Sequence, residues 1–569
     1  MIIPALCDYY RRNSELPPDG FERKEIPYLL VIDRKGSFIG FQDTQEGEGR
    51  SRRAKSFVVP SLGEGKGSGI KANLLWENIE YLLGVPCEGS NPDRVQKQHA
   101  AFIARINQLP NLSKENEAIE AALLFLNKLD LDSIRRDPLW SVIYESKRPV
   151  ALSLAGVGCI AEQQFLRQSL TSTGFVDGTC LVTGESEELA RLHAPIKGVR
   201  GDDGKAERYL VSFQKGMTFD SYGKEQGANA PMGKRTVFAY TTALNHLLGK
   251  DSRQKVQLGD ASTVFWSETN SGKAMEDLFG ELVAGSDNPD QGTDRLRALY
   301  ALEAYQPLTD DDGQKFFVLG LSPNAARISV RFWHIATIRE LGERIFQHFH
   351  DLQISRPSYE EHRHISIWHI LRALLRDDSR PSEVNEKSPP HLAGAVLQSV
   401  LTGSPYPPAL LQACIRRIRA ELGNVTSVRA ALLKACLNRL SRAQSSDMKE
   451  EITVSLDTSN DNTGYRLGRL FAALERVQER AQGNLNASIR ERYYGAASST
   501  PATVLPLLMK LKNHHLAKLD NRGEAVNLEK LLGEIMDGID TVPAHLPLPD
   551  QARFALGYYH QRQAFFDKT

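Results

Sequence analysis

No run of eighteen uncharged apolar residues occurs anywhere in the 569-residue chain, which excludes a transmembrane helix of ordinary length. The first residues lack the basic stretch, apolar core and small-residue cleavage site of a secretory leader, so a cytoplasmic protein is expected. Cysteine is scarce. The six present (Cys7, Cys87, Cys159, Cys180, Cys414, Cys436) are scattered without the close pairs that build structural zinc sites, and they read as small buried hydrophobes. Cys180 and His193 flank one turn-rich segment, but two ligands do not make a metal site. Excess charge of one sign is missing too, since Lys+Arg and Asp+Glu are both 70. A protein that coats nucleic acid alone carries a positive excess, so neutrality leaves local basic stripes or binding that depends on partners. Catalytic patterns are equally absent: there is no nucleophile triad, no zinc spacing and no Walker motif. Paired aspartates occur only in Gly-bounded turns, at 201–205 and 309–313, where sequence neighbours rarely share a metal. Asp202 and Asp203, or Asp310 to Asp312, would carry the competing reading, a metal-dependent nuclease. No cofactor is expected.

What is present is an ordinary globular composition, 41% hydrophobic and 25% charged, long enough for about two to four domains. A short helix at Ile3 to Arg12 leads into strands at Tyr28 to Asp33 and Ser37 to Gln42, joined by the turn DRKG, in which Gly36 takes the positive φ. Gln45 to Lys55 reads as a charged hairpin tip. Next comes PSLGEGKGSGIKANLLWENIEYLLG at 60–84. Its alternating glycines free the backbone to approach a ligand, and Leu75, Ile79, Leu82 and Leu83 lie at helical spacing, which puts Asn73 near the N-cap. A glycine-rich loop before a helix start suits phosphate, although the P-loop pattern is broken. From Pro92 to Tyr144 the pattern is helical. Strand signals return up to RISVRFW, where Pro323 and Asn324 read as the turn and Arg327, Ser329 and Arg331 share one face. Beyond about 362 strand signals fade. The charge-, Ser- and Pro-rich DDSRPSEVNEKSPP marks a linker. The expected class is therefore α+β: a mixed region at 1–377, a linker at 378–390 and a helical bundle at 391–569.

Two further stretches stand out. LVSFQKGMTFDSYGKEQGANAPMGKRTVFAYTTALNHLL at 210–248 reads as strand, long polar loop and amphipathic helix. Its SYGKEQGANAP core holds amide and cationic groups and almost nothing apolar, so a polar ligand or partner surface explains it more easily than burial. In Tyr465 to Gln482, Leu467, Leu470, Phe471, Leu474 and Val477 form a core stripe, with Arg466, Arg469, Arg476 and Arg480 along one flank. Such a line suits either a phosphate backbone or salt bridges to neighbouring helices.

These segments, with CLVTGE at 180–185, RLHAPIKGV at 191–199, VFWSETN at 264–270, GLSPNAARISVRFW at 320–333, RYYGAASSTPATVLPLL at 492–508 and LGYYHQR at 556–562, resemble the large subunit of the type I-C CRISPR surveillance complex, Cascade. The N-terminal ALCDYY and GIKANLLWENIEYLLG belong to the same resemblance, which spans the chain in order. It implies a non-catalytic subunit at the protospacer-adjacent-motif (PAM) end of a guide crRNA complex, acting in antiviral defence. Its implied partners are Cascade backbone subunits, the subunit at the guide 5′ end, a small helical subunit, double-stranded target DNA and a helicase-nuclease recruited after R-loop formation. On that model Lys71 and Asn73 read the PAM with Lys66 and Ser68 in support, and Lys224, Gln226 and Asn229 contact DNA or a neighbouring subunit. Arg466, Arg469, Arg476, Arg480, Arg490, Arg492, Lys510 and Lys512 would hold the displaced strand. In such systems the small subunit arises by internal translation, for which Met448 is well placed, giving 448–569. A purely structural bridge without DNA contact is the remaining alternative.

Overall fold

The computed structural model describes residues 1–569 except 48–51, 63–68, 110–115, 167–176, 200–206, 217–220, 284–312, 358–364, 381–382, 390, 445–451, 484–486 and 567–569. The chain is α+β, with its sheets in the N-terminal and middle regions and helices alone toward the C-terminus. It separates into two compact units: Met1–Val199 with Asp203–Lys250 and Asn324–Ile328, and Arg200–Asp202 with Asp251–Pro323 and Ser329–Thr569.

The first unit begins with α1 (Ile2–Arg12), followed by β1 (Phe21–Glu25), β2 (Tyr28–Ile32), β3 (Phe38–Asp43), β4 (Gln45–Glu46), β5 (Arg53–Ala54), β6 (Ser56–Pro60) and β7 (Trp76–Glu77). Then come α2 (Ile79–Leu83), α3 (Pro92–Asn107), α4 (Glu117–Asn127), α5 (Leu131–Arg135), α6 (Trp140–Ser146), β8 (Val150–Leu154) and β9 (Gly158–Cys159). The main sheet runs β3-β2-β8-β7, with β9 on β8; β2 and β8 are parallel and β3 is antiparallel to β2. Parallel neighbours covered on both faces read as continuous apolar runs. VALSL of β8 is buried at every position. The β2–β3 turn forms at DRKG as the sequence predicts. Asp33 Oδ1 accepts from the N–H groups of Lys35 (2.9 Å) and Ser37 (2.7 Å), and Gly36 sits at φ +77 against α4, where a Cβ would lie 2.6 Å from Phe125 N. The rest of this unit carries β10 (Gly178–Thr179), β11 (Ser186–Glu187), β12 (Ile196–Lys197), β13 (Glu207–Arg208) and α7 (Lys234–Leu247). The strand expected from Leu210 is not formed: residues 210–214 are irregular, and only β13 precedes them. Helix α7 packs on α1 through Tyr10 edge-on to Phe238 (5.7 Å) and Tyr9 Oη with His246 Nδ1 (3.1 Å).

The second unit opens with β14 (Lys255–Leu258), β15 (Ala261–Ser267), α8 (Lys273–Val283), β16 (Lys315–Asn324) and β17 (Arg327–Thr337), ordered β14-β15-β16-β17. The β16–β17 turn falls at Ala325 and Ala326, with Ala325 at φ +51; Pro323 and Asn324 are the end of β16 instead. Helices follow: α9 (Ile338–Asp351), α10 (Ile367–Ala373), α11 (Val384–Lys387), α12 (Leu392–Thr402), α13 (Pro408–Ala420), α14 (Ser427–Gln444), α15 (Thr463–Gln482), α16 (Ile489–Ala497), α17 (Pro501–Leu516), α18 (Arg522–Asp537) and α19 (Leu548–Ala564). One hydrophobic core runs from Val256 to Tyr559 and includes Val384, fully buried within the stretch 378–390 that the composition marks as a linker. The division into compact units lies near residue 250, where the composition gives no signal.

Candidate nucleic-acid interface

The glycine-rich segment meets the fold at β7. Lys66 and Ser68 lie outside the described residues. Lys71 is exposed, whereas Asn73 is buried. Its Nδ2 donates to Glu77 Oε1 at 2.9 Å, and its backbone N–H approaches the same oxygen at 3.3 Å. The expected helix starts five residues later than the spacing suggests. Asn78 is the N-cap, accepting from Tyr81 N (3.3 Å), and Gly84 closes α2 at φ +69. Leu75 belongs to the strand side of the boundary, at φ +67 with its carbonyl accepting from Leu152 N (3.0 Å); Trp76 Nε1 donates to Pro60 O (3.0 Å). Pairing with β8 thus overrides the helical periodicity. Asn73, placed at the cap by sequence, is an internal strut whose amide would have to leave Glu77 before it could meet a base edge. Lys71 is the group on this segment that presents outward.

The central loop divides in the same way. Arg191 Nη1 donates to Gln226 Oε1 at 2.6 Å, and Asn229 Nδ2 donates to the carbonyls of Lys224 (3.2 Å) and Gln226 (3.1 Å). Gly227 is buried with its N–H on Arg191 O (3.0 Å), so close that a Cβ would lie 2.4 Å from Ala190 O. Gln226 and Asn229 therefore shape the loop, and Lys224 faces solvent. Tyr222, which sequence reasoning passed over, is fully exposed at φ +54. Its signal was legible as the single aromatic in an otherwise polar stretch.

The arginine line on α15 is largely committed to the protein. Arg469 is buried, donating to Gln561 Oε1 (3.2 Å) and Thr458 O (3.3 Å). Arg466 donates to Asn460 O (2.9 Å) and to Gly538 O. Arg476 pairs with Glu479 (3.6 Å) and lies over the Phe565 ring, and Arg480 grips both oxygens of Glu524 (2.5 and 2.9 Å). Arg490 approaches buried Glu475 at 3.8 Å, and Lys512 approaches Glu529 at 3.9 Å. On β17, Arg331 pairs with Asp260 (2.8 Å). Of the salt-bridge and phosphate-backbone readings, these geometries supply the partners for the first. Arg492 and Lys510 are exposed, without an ion pair among the described residues.

Little in the described residues points to chemistry. No three His, Cys, Asp or Glu side chains there come together as metal ligands. His193 Nδ1 meets Tyr240 Oη at 2.6 Å, and burial pushes its pKa down to about 4. Cys180 Sγ lies 3.4 Å from Thr236 Oγ1; burial alone would raise its thiol pKa, but hydrogen bonds from Gly233, Thr236 and Thr183 outweigh that and lower it. All six cysteines are buried and unbridged, as their scatter predicts. Asp202, Asp203 and Asp310 to Asp312 lie outside the described residues, and no described helix is long and apolar enough to cross a membrane.

A family model described as CRISPR-associated protein (Cas_Csd1) matches residues 6–566. No curated protein matches the chain.

Proposed function

Since the chain belongs to the CRISPR-associated Cas_Csd1 family, we propose that it is the non-catalytic large subunit of a type I-C guide-RNA-directed surveillance complex. In this role it reads the PAM in double-stranded DNA, promotes local unwinding and helps to recruit a helicase-nuclease. The observation that carries this reading is the family match across nearly the whole chain. Base pairing to the guide supplies sequence identity in such machines, so the protein needs only a few contacts to a short motif and to the backbone. A chain with equal numbers of acidic and basic side chains fits that division of labour, because it depends on its complex to hold nucleic acid.

Lys71 is the leading motif contact, offering donors to base acceptors or phosphate, and Asn73 acts on it from inside the fold. Lys224 offers a second contact, and Arg492 and Lys510 a third, to the displaced strand. The test is DNA binding by the reconstituted guide complex to a target with its cognate PAM and to a scrambled one. Lys71→Ala should assemble normally and lose discrimination worth about 1–3 kcal/mol. Equal preference in wild type and Lys71→Ala would remove Lys71 from the motif contact, and a wild type with no preference would refute the function itself. Incubated with magnesium or manganese, the isolated protein should leave DNA intact.

A further inference from the structure

The first unit holds an open cavity of about 610 Å³ between the β3–β4 corner, β6 and the β8–β9 turn. Three carboxylates line it: Asp43, Glu46 and Glu162. Asp43 is already occupied, ion-paired with Arg52 and accepting from Gln45 N (2.9 Å) and Gln45 Nε2 (3.1 Å). Glu162 Oε1 accepts from Val58 N (3.2 Å), which leaves its second oxygen without a hydrogen bond among the described residues. Neither Glu46 nor Glu162 has a cation within ion-pair distance among the described residues. Lys55, also in the wall, does not supply one: its Nζ sits over the Phe57 ring, 5.4 Å from the centroid. Gln163 adds a buried Nε2 with no acceptor.

The cavity is large enough for a small ligand or a side chain with its backbone. Its unmet groups are two carboxylates and one amide donor. Phosphate is the wrong chemistry, since it would bring a third negative charge between two unpaired ones. A planar cation with several N–H groups satisfies both carboxylates at once, and a peptide carbonyl beside it would satisfy Gln163. We propose that this cavity is a socket for an arginine side chain from a neighbouring protein subunit, with Glu46 and Glu162 receiving the guanidinium. Lysine fits less well, because an ammonium is a point donor with no fork to share between two carboxylates. The inference rests on the reading of this chain as a subunit of a larger complex, and it assigns a protein contact to a surface of a family linked to nucleic acid.

The test has two arms. Saturation-transfer NMR on the full chain would compare N-acetyl-arginine methylamide with the norleucine analogue and with adenosine monophosphate. Arginine should give a saturable signal that falls about tenfold in affinity, roughly 1.4 kcal/mol, in Glu46→Gln/Glu162→Gln; norleucine should give none. Glutamine keeps an oxygen for Val58 N, and an unchanged melting temperature would certify the variant's fold. In the second arm, Glu46→Lys/Glu162→Lys should enter the reconstituted guide complex about tenfold less well than wild type. Saturable binding of the nucleotide in place of arginine would overturn the proposal, as would normal incorporation of the lysine variant. If the wild-type chain enters no guide complex while arginine still binds, the functional reading fails and the socket chemistry stands.

Discussion

At residue scale, the polar groups that sequence reading assigned to ligands are mostly holding the fold. Asn73 shows why: the sequence reports an amide beside a glycine loop, but only the tertiary path shows that Glu77, itself buried, waits four residues away to receive it. Asn73→Ala would leave that carboxylate short of a donor, so a loss of about 1–3 kcal/mol in urea unfolding is expected. Lys71→Ala should leave unfolding unchanged. If the alanine at 73 proves neutral in stability and abolishes PAM preference, the residue reads DNA directly after all. Buried histidines give a second prediction. His348 and His560 are driven down to about 3 and about 4 by burial, with Arg439 acting against a charge on His348 and Lys434 on His560. His560 Nδ1 bonds Tyr465 Oη at 2.9 Å, and Asp457 is the acid that partly opposes the shift. Because the folded values lie below the unfolded 6.5, the unfolded chain binds more protons in the window between them. Stability is therefore complete above about pH 6.5 and declines as the pH falls toward 4, by roughly 3 kcal/mol at most for His560. His560→Gln should flatten the dependence of melting temperature on pH in that window. A slope equal to wild type would show that this histidine is not neutral in the fold.

At the scale of elements, periodicity and turn chemistry were informative wherever local and tertiary preferences agree. The DRKG hairpin, α7, β15, α15 and the all-helical C-terminal region form within a residue or two of expectation, because apolar spacing and caps there point to the same answer. The misplacements share one cause: pairing with a strand distant in sequence. Leu75 fits a helical stripe but sits beside β8, and the β16–β17 turn shifts past Pro323 and Asn324 as the strands extend to their last paired residues. The α15 stripe was legible as core, but the fate of its arginines was not, since their acceptors lie on segments the heptad pattern does not reveal. A close crossing explains why α15 and α19 hold together. A Cβ on Gly468 would lie 2.0 Å from Phe554 O, and one on Gly557 would lie 2.0 Å from Tyr465 O. Small residues let the helix backbones touch, and around them Phe471, Tyr494, Phe554 and Tyr558 interlock with ring centroids 5.6–5.9 Å apart. Gly468→Val and Gly557→Val should each cost about 3 kcal/mol or more, as overpacking against backbone cannot be relieved by a rotamer change. Urea unfolding would detect it, and a valine at either position tolerated within about 0.5 kcal/mol would show that the helices can move apart freely.

For the whole molecule, the decisive feature is the continuity of the second unit's core across the position where a separate product would begin. We propose that Met448, outside the described residues, starts such a product, 448–569, carrying α15 to α19. In the full chain those helices are sealed by earlier ones. Tyr559 Oη donates to Ser355 O (2.8 Å), and Tyr494 packs on Gly423 so closely that a Cβ there would lie 2.4 Å from the ring. Cut away from α9 to α14, the product would uncover the faces of α16 and α19 that carry these contacts, and exposed apolar area of that kind drives association. The separate 448–569 chain should therefore be helical yet associated with itself or with other subunits, whereas the full-length chain keeps the same faces covered. Two measurements decide the matter. Met448→Leu in the intact coding sequence should eliminate the short product without lowering the amount of full-length chain, and its persistence would place the start elsewhere. Sedimentation of purified 448–569 should show a species larger than one chain; a well-behaved monomer with a cooperative melt would mean that the last five helices close their own core and borrow nothing from the helices before them.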